Sequence, residues 1–368
     1  MSESPVEGVV QLVEQLIRRA FDARASDVHF EPGDEELRVR VRVDALLEDV
    51  ETLPRTIAPN VVARLKVLGG LLTYRSDVPQ EGAISATRSG LPGDIRVATF
   101  PTIRGERVVL RLMAHARQRL TLDDLGHDPQ LIERLKQALQ LPQGLIVVCG
   151  PAGSGKTTTL YAMLDHLLEQ RPQASVLAVE DPVEIRLDGV TQVQIEPARG
   201  LTYPVALRSL LRQDPEVLMI GEVRDAETAG IVIEAALTGH LLLSTMHSGS
   251  PAEAIVRLRE MGLPAYQITS TLQGVLAQRL LRTICPACDP ESPRPTCPHC
   301  LGSGFAGRAA IGHFVEITAG LRQAILDEAD AATLESRNLT PGSLRDDAER
   351  LVQAGRTARA EVRRVLGV

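Results

Sequence analysis

The pattern of apolar and polar positions divides the chain into two differently built parts. In the first part, apolar residues recur at helical spacing over 6–21 and then alternate with polar residues over 28–43. A second helix is predicted over 56–68, and further alternation follows at 95–100 and 107–112. Helices mixed with alternating strands predict a small α+β domain over residues 1–118.

The pattern changes after residue 143, where uninterrupted apolar runs replace the alternation. These runs cover residues 145–149, 176–179, 217–220 and 241–245, and helical stretches separate them. Parallel strands that are covered by helices on both faces have this character. The second part is therefore predicted to be a doubly wound α/β core.

Proline, glycine and cysteine positions suggest where the domains end. Residues 119–142 are interpreted as a linker and the start of the core domain, and residues 143–282 as the core itself. A cysteine-rich and proline-rich module is predicted over 283–318. Three helical stretches over 319–368 are expected to complete the chain.

Composition and charge narrow the class of protein. The chain is 44% hydrophobic and 24% charged, which is typical of a globular protein. Its net charge of -7, its aromatic content of 2% and its lack of tryptophan argue against a nucleic-acid-binding protein. Neither a membrane-spanning apolar stretch nor a signal peptide is recognisable, so a cytoplasmic location is expected.

A phosphate-binding loop is the clearest chemical motif. Residues 150–157 read GPAGSGKT, which fits GxxxxGK[ST], and they lie between a predicted buried strand and a predicted helix. Lys156 is expected to contact the β and γ phosphates of ATP, and the Thr157 hydroxyl to bind Mg²⁺. A glycine-rich turn that binds nothing is the alternative, and the flanking elements disfavour it. The predicted nucleotide-binding residues are Gly150, Pro151, Ala152, Gly153, Ser154, Gly155, Lys156, Thr157 and Thr158.

Polar residues follow the next three buried strands and are candidates for catalysis. Glu180 begins the segment EDPVE, Glu222 follows the strand over 217–220, and His247 follows the strand over 241–245. Ligands bind at the carboxyl ends of strands in open α/β sheets. Glu222 there can hold Mg²⁺ through water or polarise the attacking water, and His247 can sense hydrolysis. The alternative roles are a solvated loop residue or a helix cap for each acid and a satisfied loop residue for the histidine.

Two CxxC pairs predict a zinc site. Cys285 and Cys288 form the first pair, and Cys297 and Cys300 form the second. Four thiolates at this spacing can surround Zn²⁺ tetrahedrally, although disulfides or empty thiols remain alternatives. The remaining cysteine, Cys149, is interpreted as a small buried hydrophobic residue.

Together these segments resemble one known family. The phosphate loop, residues 180–184, residues 211–225 and the sequence STMH at 244–247 resemble the secretion ATPases of the GspE/PilB type, which drive type II secretion and type IV pilus assembly. Residues 25–32, 94–101 and 105–111 resemble the N-terminal domain of that family. The resemblance implies a RecA-like P-loop ATPase core, a smaller PAS-like N-terminal domain and a tetracysteine zinc module.

The resemblance also implies a function. It predicts a homohexamer that hydrolyses ATP at the cytoplasmic face of the inner membrane and moves a membrane platform protein, with Arg96 and Arg111 reaching the phosphates when the N-terminal domain closes. The cysteine module favours assembly over pilus retraction. A retraction motor, a nucleic-acid translocase and an ATP-dependent scaffold that does not hydrolyse remain alternatives. The family's additional N-terminal docking domain is expected to be absent.

Overall fold

The fold is described from a computed structural model of the chain. It covers residues 5–112, 119–288, 290–294, 297, 299–300, 302–337 and 340–367, with side chains from residue 8 onward. The chain forms two compact units. Unit 1 comprises Met1–Gln118 and Cys285–Gly307, and unit 2 comprises Arg119–Ile284 and Arg308–Val368. The domain boundary that we place after residue 118 adjoins residues 113–118, which lie outside the described residues.

The described residues of unit 1 form a six-stranded sheet and three α-helices. The strand order is β3-β2-β1-β6-β5-β4, and all neighbouring strands are antiparallel. Strand residues alternate between a buried apolar face and a polar face, as the two-residue period predicts. The elements are α1 Pro5–Asp22, β1 Asp27–Pro32, β2 Glu36–Val43, β3 Leu46–Pro54, α2 Ala58–Leu68, β4 Gln80–Ile84, α3 Ala86–Ser89, β5 Ile95–Thr102 and β6 Gly105–Leu112.

The two faces of this sheet have different partners. On the apolar face, Val13 of α1 and Leu65 of α2 share one core with Phe30 of β1, and all three side chains are fully buried. On the polar face, charged side chains of neighbouring strands form ion pairs. Asp27 pairs with Arg111 at 3.0 Å. The charged face is therefore an ordered array and not a set of independent solvated side chains.

Unit 2 contains most of a seven-stranded sheet with helices on both sides. The strand order is β13-β12-β7-β11-β10-β8-β9, and the strands from β12 to β9 pair in parallel. The elements from residue 129 to 260 are α4 Pro129–Leu139, β7 Gly144–Cys149, α5 Lys156–Gln170, β8 Val176–Glu180, β9 Val190–Gln194, α6 Tyr203–Leu210, β10 Val217–Ile220, α7 Ala226–Leu237, β11 Leu241–Met246 and α8 Pro251–Glu260. Those after residue 260 are α9 Ala265–Thr271, β12 Leu272–Ile284, β13 Phe305–Glu316, α10 Ala319–Leu326, α11 Ala331–Arg337, α12 Leu344–Gln353 and α13 Arg359–Leu366.

The central strands of this sheet are buried along their whole length. Every residue of β7, β8, β10 and β11 is buried. Leu145 and Val147 of β7 pack into a core that includes α7 and α8, whereas Ile146 and Val148 pack into a core that includes α4 and α5. Each uninterrupted apolar run therefore contributes side chains to the cores on both faces of the sheet. The predicted α/β fold is confirmed.

The C-terminal region differs from the prediction in one respect. Four helices, α10 to α13, follow residue 318, where the apolar pattern predicts three helical stretches. The backbone of Glu328 has a left-handed φ of 55°, which interrupts the helical path between α10 and α11. Of the helices that the structure describes, none combines the length and apolar character that spanning a bilayer requires.

Candidate nucleotide-binding site

The loop after β7 requires glycine for two reasons. Gly153 and Gly155 have left-handed φ values of 74° and 86°. In addition, a Cβ built on Gly150 would lie 2.6 Å from the carbonyl oxygen of Gln278, and one on Gly155 would lie 2.9 Å from Gln278 Nε2. The loop therefore curls tightly against β12, and α5 begins directly after it at Lys156.

Lys156 lies at the centre of this loop and is only 8% exposed. Its Nζ donates hydrogen bonds to the carbonyl oxygens of Gly150, at 2.9 Å, and Pro151, at 3.0 Å. Burial lowers the pKa of Lys156, and the negative charge of Glu222 partly opposes this shift. Of the other predicted loop residues, Pro151, Ala152 and Gly153 are exposed, and Ser154 is buried.

The sheet brings the ends of three strands together beside Lys156. β10 pairs with β11 and β11 pairs with β7 in parallel, so their carboxyl ends lie at one edge. Glu222 follows β10, where Arg224 donates a hydrogen bond to its carboxylate. His247 Nε2 lies 3.6 Å from the other carboxylate oxygen of Glu222. Burial, with a contribution from Lys156, lowers the pKa of His247, which favours the neutral imidazole.

The two glutamates of the EDPVE segment have different surroundings. The Glu180 side chain is buried, and its carboxylate accepts hydrogen bonds from the Tyr161 hydroxyl and from Gln192 Nε2. The Thr157 hydroxyl lies near the Glu184 carboxylate and favours its charged form. Desolvation raises the pKa of both acids, although Glu184, unlike Glu180, is an exposed residue. The catalytic role of Glu180 stays a prediction, and Glu184 is an additional candidate that the motif alone did not single out.

Arg96 and Arg111 lie in unit 1 and face each other across β5 and β6. Arg96 is exposed. The Arg111 side chain is 65% exposed even though its Nε donates to Asp27. Both guanidinium groups lie on the polar face of the sheet, and their contact with a nucleotide stays a prediction.

The four CxxC cysteines form a compact cluster. All four sulfur atoms lie within 4.8 Å of one another, and none is in a disulfide. Cys285 Sγ and Cys297 Sγ are 3.9 Å apart. Tetrahedral coordination with Zn–S bonds of about 2.3 Å places sulfurs about 3.8 Å apart, so the cluster fits zinc. The neighbouring Cys288 thiol lowers the pKa of Cys297, whereas burial raises the pKa of Cys285.

Cys149 lies outside this cluster, at the end of β7. It is fully buried, and burial raises its pKa to about 11. A protonated thiol in an apolar strand is a packing residue and not a nucleophile. The sequence-based interpretation of Cys149 therefore agrees with its surroundings.

The fold and the loop define a P-loop nucleotide-binding protein of the α/β class. Residues 2–364 match the family described as Type II/IV secretion system protein, and the chain belongs to that family. The predicted resemblance is thus confirmed.

Individual relatives agree with this assignment. The protein transport protein HofB homolog of Escherichia coli K12 is 41% identical over 97% of this chain and 81% of its own length. The type II secretion system ATPase E of Vibrio cholerae is 39% identical over 97% and 75%. The type IV pilus assembly ATPase PilB of Thermus thermophilus is 37% identical over 92% and 40%.

Two solved structures share the fold at low sequence identity. The pilus retraction motor PilT with bound ADP aligns with a TM-score of 0.63 at 22% identity, and the alignment covers 95% of each chain. The ATPase DotB of Yersinia pseudotuberculosis aligns with a TM-score of 0.70 at 21% identity over 95% of this chain and 92% of its own.

Proposed function

We propose that this chain binds and hydrolyses ATP, and that it serves as a motor for type II secretion or for assembly of a pseudopilus or type IV pilus. The observation that carries the proposal is a buried ammonium group, Lys156, inside a glycine loop and beside Glu222 and His247. Membership of the secretion family supports the proposal, as do relatives named as secretion and pilus assembly ATPases.

Each residue of the site has a role in the proposed reaction. The loop amides and Lys156 bind the β and γ phosphates and stabilise the charge that develops there. Glu222 orients the attacking water, and His247 lies close enough to respond to the charge of that carboxylate. Arg96 and Arg111 add positive charge at the γ phosphate, as the family resemblance implies.

Thr157 is the residue that would hold Mg²⁺, which supplies charge neutralisation at the phosphates when it is bound. Glu184 lies near the Thr157 hydroxyl, so its carboxylate can help to orient this hydroxyl and place negative charge close to the cation position. We assign Glu184 this positioning role. Glu180 remains the second acid proposed for catalysis on this segment.

The proposal is tested by replacing Lys156 with methionine. We expect turnover of MgATP to fall by at least about 100-fold, because the charge stabilisation at the transferred phosphoryl group is lost. Lys136→Met is the matched control, because Lys136 lies on α4 in the same unit and pairs with Asp123. Turnover of the Lys156 variant within twofold of wild type would exclude the catalytic assignment.

We further propose that the active form is a homohexamer that acts on a platform protein at the cytoplasmic face of the inner membrane. Family membership supports this assembly. Mass measurement of the purified chain with a non-hydrolysable MgATP analogue tests it, and a species that stays monomeric at micromolar concentration contradicts it. We also propose that Cys285, Cys288, Cys297 and Cys300 hold one structural Zn²⁺.

A further inference from the structure

A buried amide side chain lies directly behind the phosphate loop. Gln278 of β12 is only 1% exposed. Its Nε2 donates a hydrogen bond of 2.7 Å to the carbonyl oxygen of Ser154, in the loop. Its Oε1 accepts a hydrogen bond of 2.7 Å from the hydroxyl of Thr159, in the first turn of α5. One carboxamide thus connects the loop and the helix that follows it.

The Ser154 carbonyl determines the orientation of this carboxamide. With the two terminal atoms exchanged, Gln278 Oε1 would face the Ser154 carbonyl oxygen, and two buried acceptors would oppose each other. The orientation with Nε2 toward Ser154 is therefore the favourable one. Gln278 Oε1 is then available as an acceptor on its other side.

A buried histidine occupies that other side. His127 is 5% exposed, and its Nε2 lies 3.2 Å from Gln278 Oε1. Because Oε1 can only accept, His127 must carry a proton on Nε2. Among the described residues, His127 Nδ1 has no hydrogen-bond partner, and it lies 3.9 Å from a carboxylate oxygen of Asp347, on α12. Asp347 is itself held by the Gly312 amide at 2.8 Å and by Arg350.

We propose that Gln278 is a positioning residue for the phosphate loop, and that His127 holds Gln278 in place from the side of α12. The consequence for nucleotide affinity rests on the proposed function, whereas the consequence for loop order does not. Gly155 supports the proposal, because a Cβ at this position would lie 2.9 Å from Gln278 Nε2. Gly150 approaches only the Gln278 backbone carbonyl, so its contact does not depend on the carboxamide.

Gln278→Met tests the role of the carboxamide, because methionine keeps the length and removes the hydrogen bonds with Ser154, Thr159 and His127. Gln273→Met is the matched control: Gln273 lies on the same strand, and its Nε2 donates to the Gln143 carbonyl oxygen at 3.3 Å. We expect affinity for a fluorescent MgADP analogue to fall about tenfold in Gln278→Met, because buried loop groups lose their partner. The control should remain within twofold of wild type.

Hydrogen exchange without nucleotide provides a second measurement on the same variants. Amides of residues 152–160 should exchange about tenfold faster in Gln278→Met, and those in β10 should be unchanged. If Gln278→Met does not fold, Gln278→Glu replaces it, because glutamate keeps the acceptor and removes the donor to Ser154. If wild type binds no nucleotide, the proposed function fails, and hydrogen exchange still tests the positioning role.

The contribution of His127 is tested through its tautomer and its coupling to Gln278. We expect nitrogen NMR to show protonation at Nε2 in wild type and a changed signal in Gln278→Met. His127→Phe should weaken nucleotide binding about threefold, and the double variant should bind no more weakly than Gln278→Met alone. Three results would overturn the proposal. They are a His127 ring without a proton on Nε2, additive effects of the two substitutions, and unchanged affinity and exchange in a folded Gln278→Met variant.

Discussion

Two buried lysines, one in each unit, have opposite electrostatic surroundings. Lys66 of α2 is fully buried, and its Nζ donates to both carboxylate oxygens of Glu106, at 2.7 and 2.9 Å. Lys156 donates to two backbone carbonyls, and no carboxylate of the described residues lies within ion-pair distance of it. The fold supplies the counter-charge of Lys66 and supplies none by contact to Lys156. This difference agrees with the proposed role of Lys156 in binding phosphate.

The cysteine cluster shows the same principle with the charges reversed. Four sulfur atoms converge within 4.8 Å, and no disulfide joins them. The proposed zinc ion would balance the negative charge of four thiolates here, as the proposed phosphate would balance the positive charge of Lys156. Four predictions test these contrasts.

Loss of the metal should have the largest effect. Cys288→Ser should reduce bound zinc from about one per chain to less than about 0.2, because it removes one of the four thiolates that a closed tetrahedral zinc site requires. Cys149→Ser is the control, and this variant should retain about one zinc per chain. Elemental analysis of the purified variants measures this. Equal zinc content in both variants would contradict the assignment.

Glu222→Gln should have the next largest effect. The proposed role of Glu222 is to orient the attacking water. Its charge acts on Lys156 without contact, and Arg224 donates to one of its two carboxylate oxygens. We expect MgATP turnover to fall about 10²- to 10⁴-fold while nucleotide affinity changes little. Glu227→Gln, at an exposed pair with Arg208, should retain turnover. Steady-state hydrolysis assays measure turnover, and binding of a nucleotide analogue measures affinity. Turnover within threefold of wild type would show that Glu222 takes no part in the reaction.

Lys66→Met should destabilise the protein by about 3 to 5 kcal/mol, because it leaves the Glu106 carboxylate without its buried partner. Adding Glu106→Gln should recover part of the loss. Urea unfolding of the single and double variants measures both effects. A loss below about 1 kcal/mol for Lys66→Met would show that the pair is not a structural requirement.

Replacing Lys156 with methionine should have the smallest effect on stability. The free energy of unfolding of Lys156→Met should lie within about 1 kcal/mol of wild type, because losing two hydrogen bonds is offset by removing a buried charge. Urea unfolding compares this variant directly with Lys66→Met. Equal destabilisation by both substitutions would refute the contrast between the two lysines.

Much of the site could be predicted because it depends on local patterns. The phosphate loop has its own spacing, and the acidic residues and His247 directly follow apolar runs that are readable as strands. Parallel pairing then places such strand ends at one edge. The choice between Glu180 and Glu184 could not be made in this way. Glu180 is the last residue of β8 and Glu184 lies in the loop that follows, and only packing brings Glu180 to Tyr161 and Glu184 near Thr157.

The sequence by itself determined the α/β core, the loop chemistry, the cysteine spacing and the family, because each depends on residues that are close together along the chain. Only the tertiary structure decided which buried groups have partners. Gln278 lies 124 positions from Ser154, and nothing local marks it as a neighbour of the phosphate loop. Its contacts exist because β12 pairs with β7, and pairing between distant strands is a property of the whole sheet.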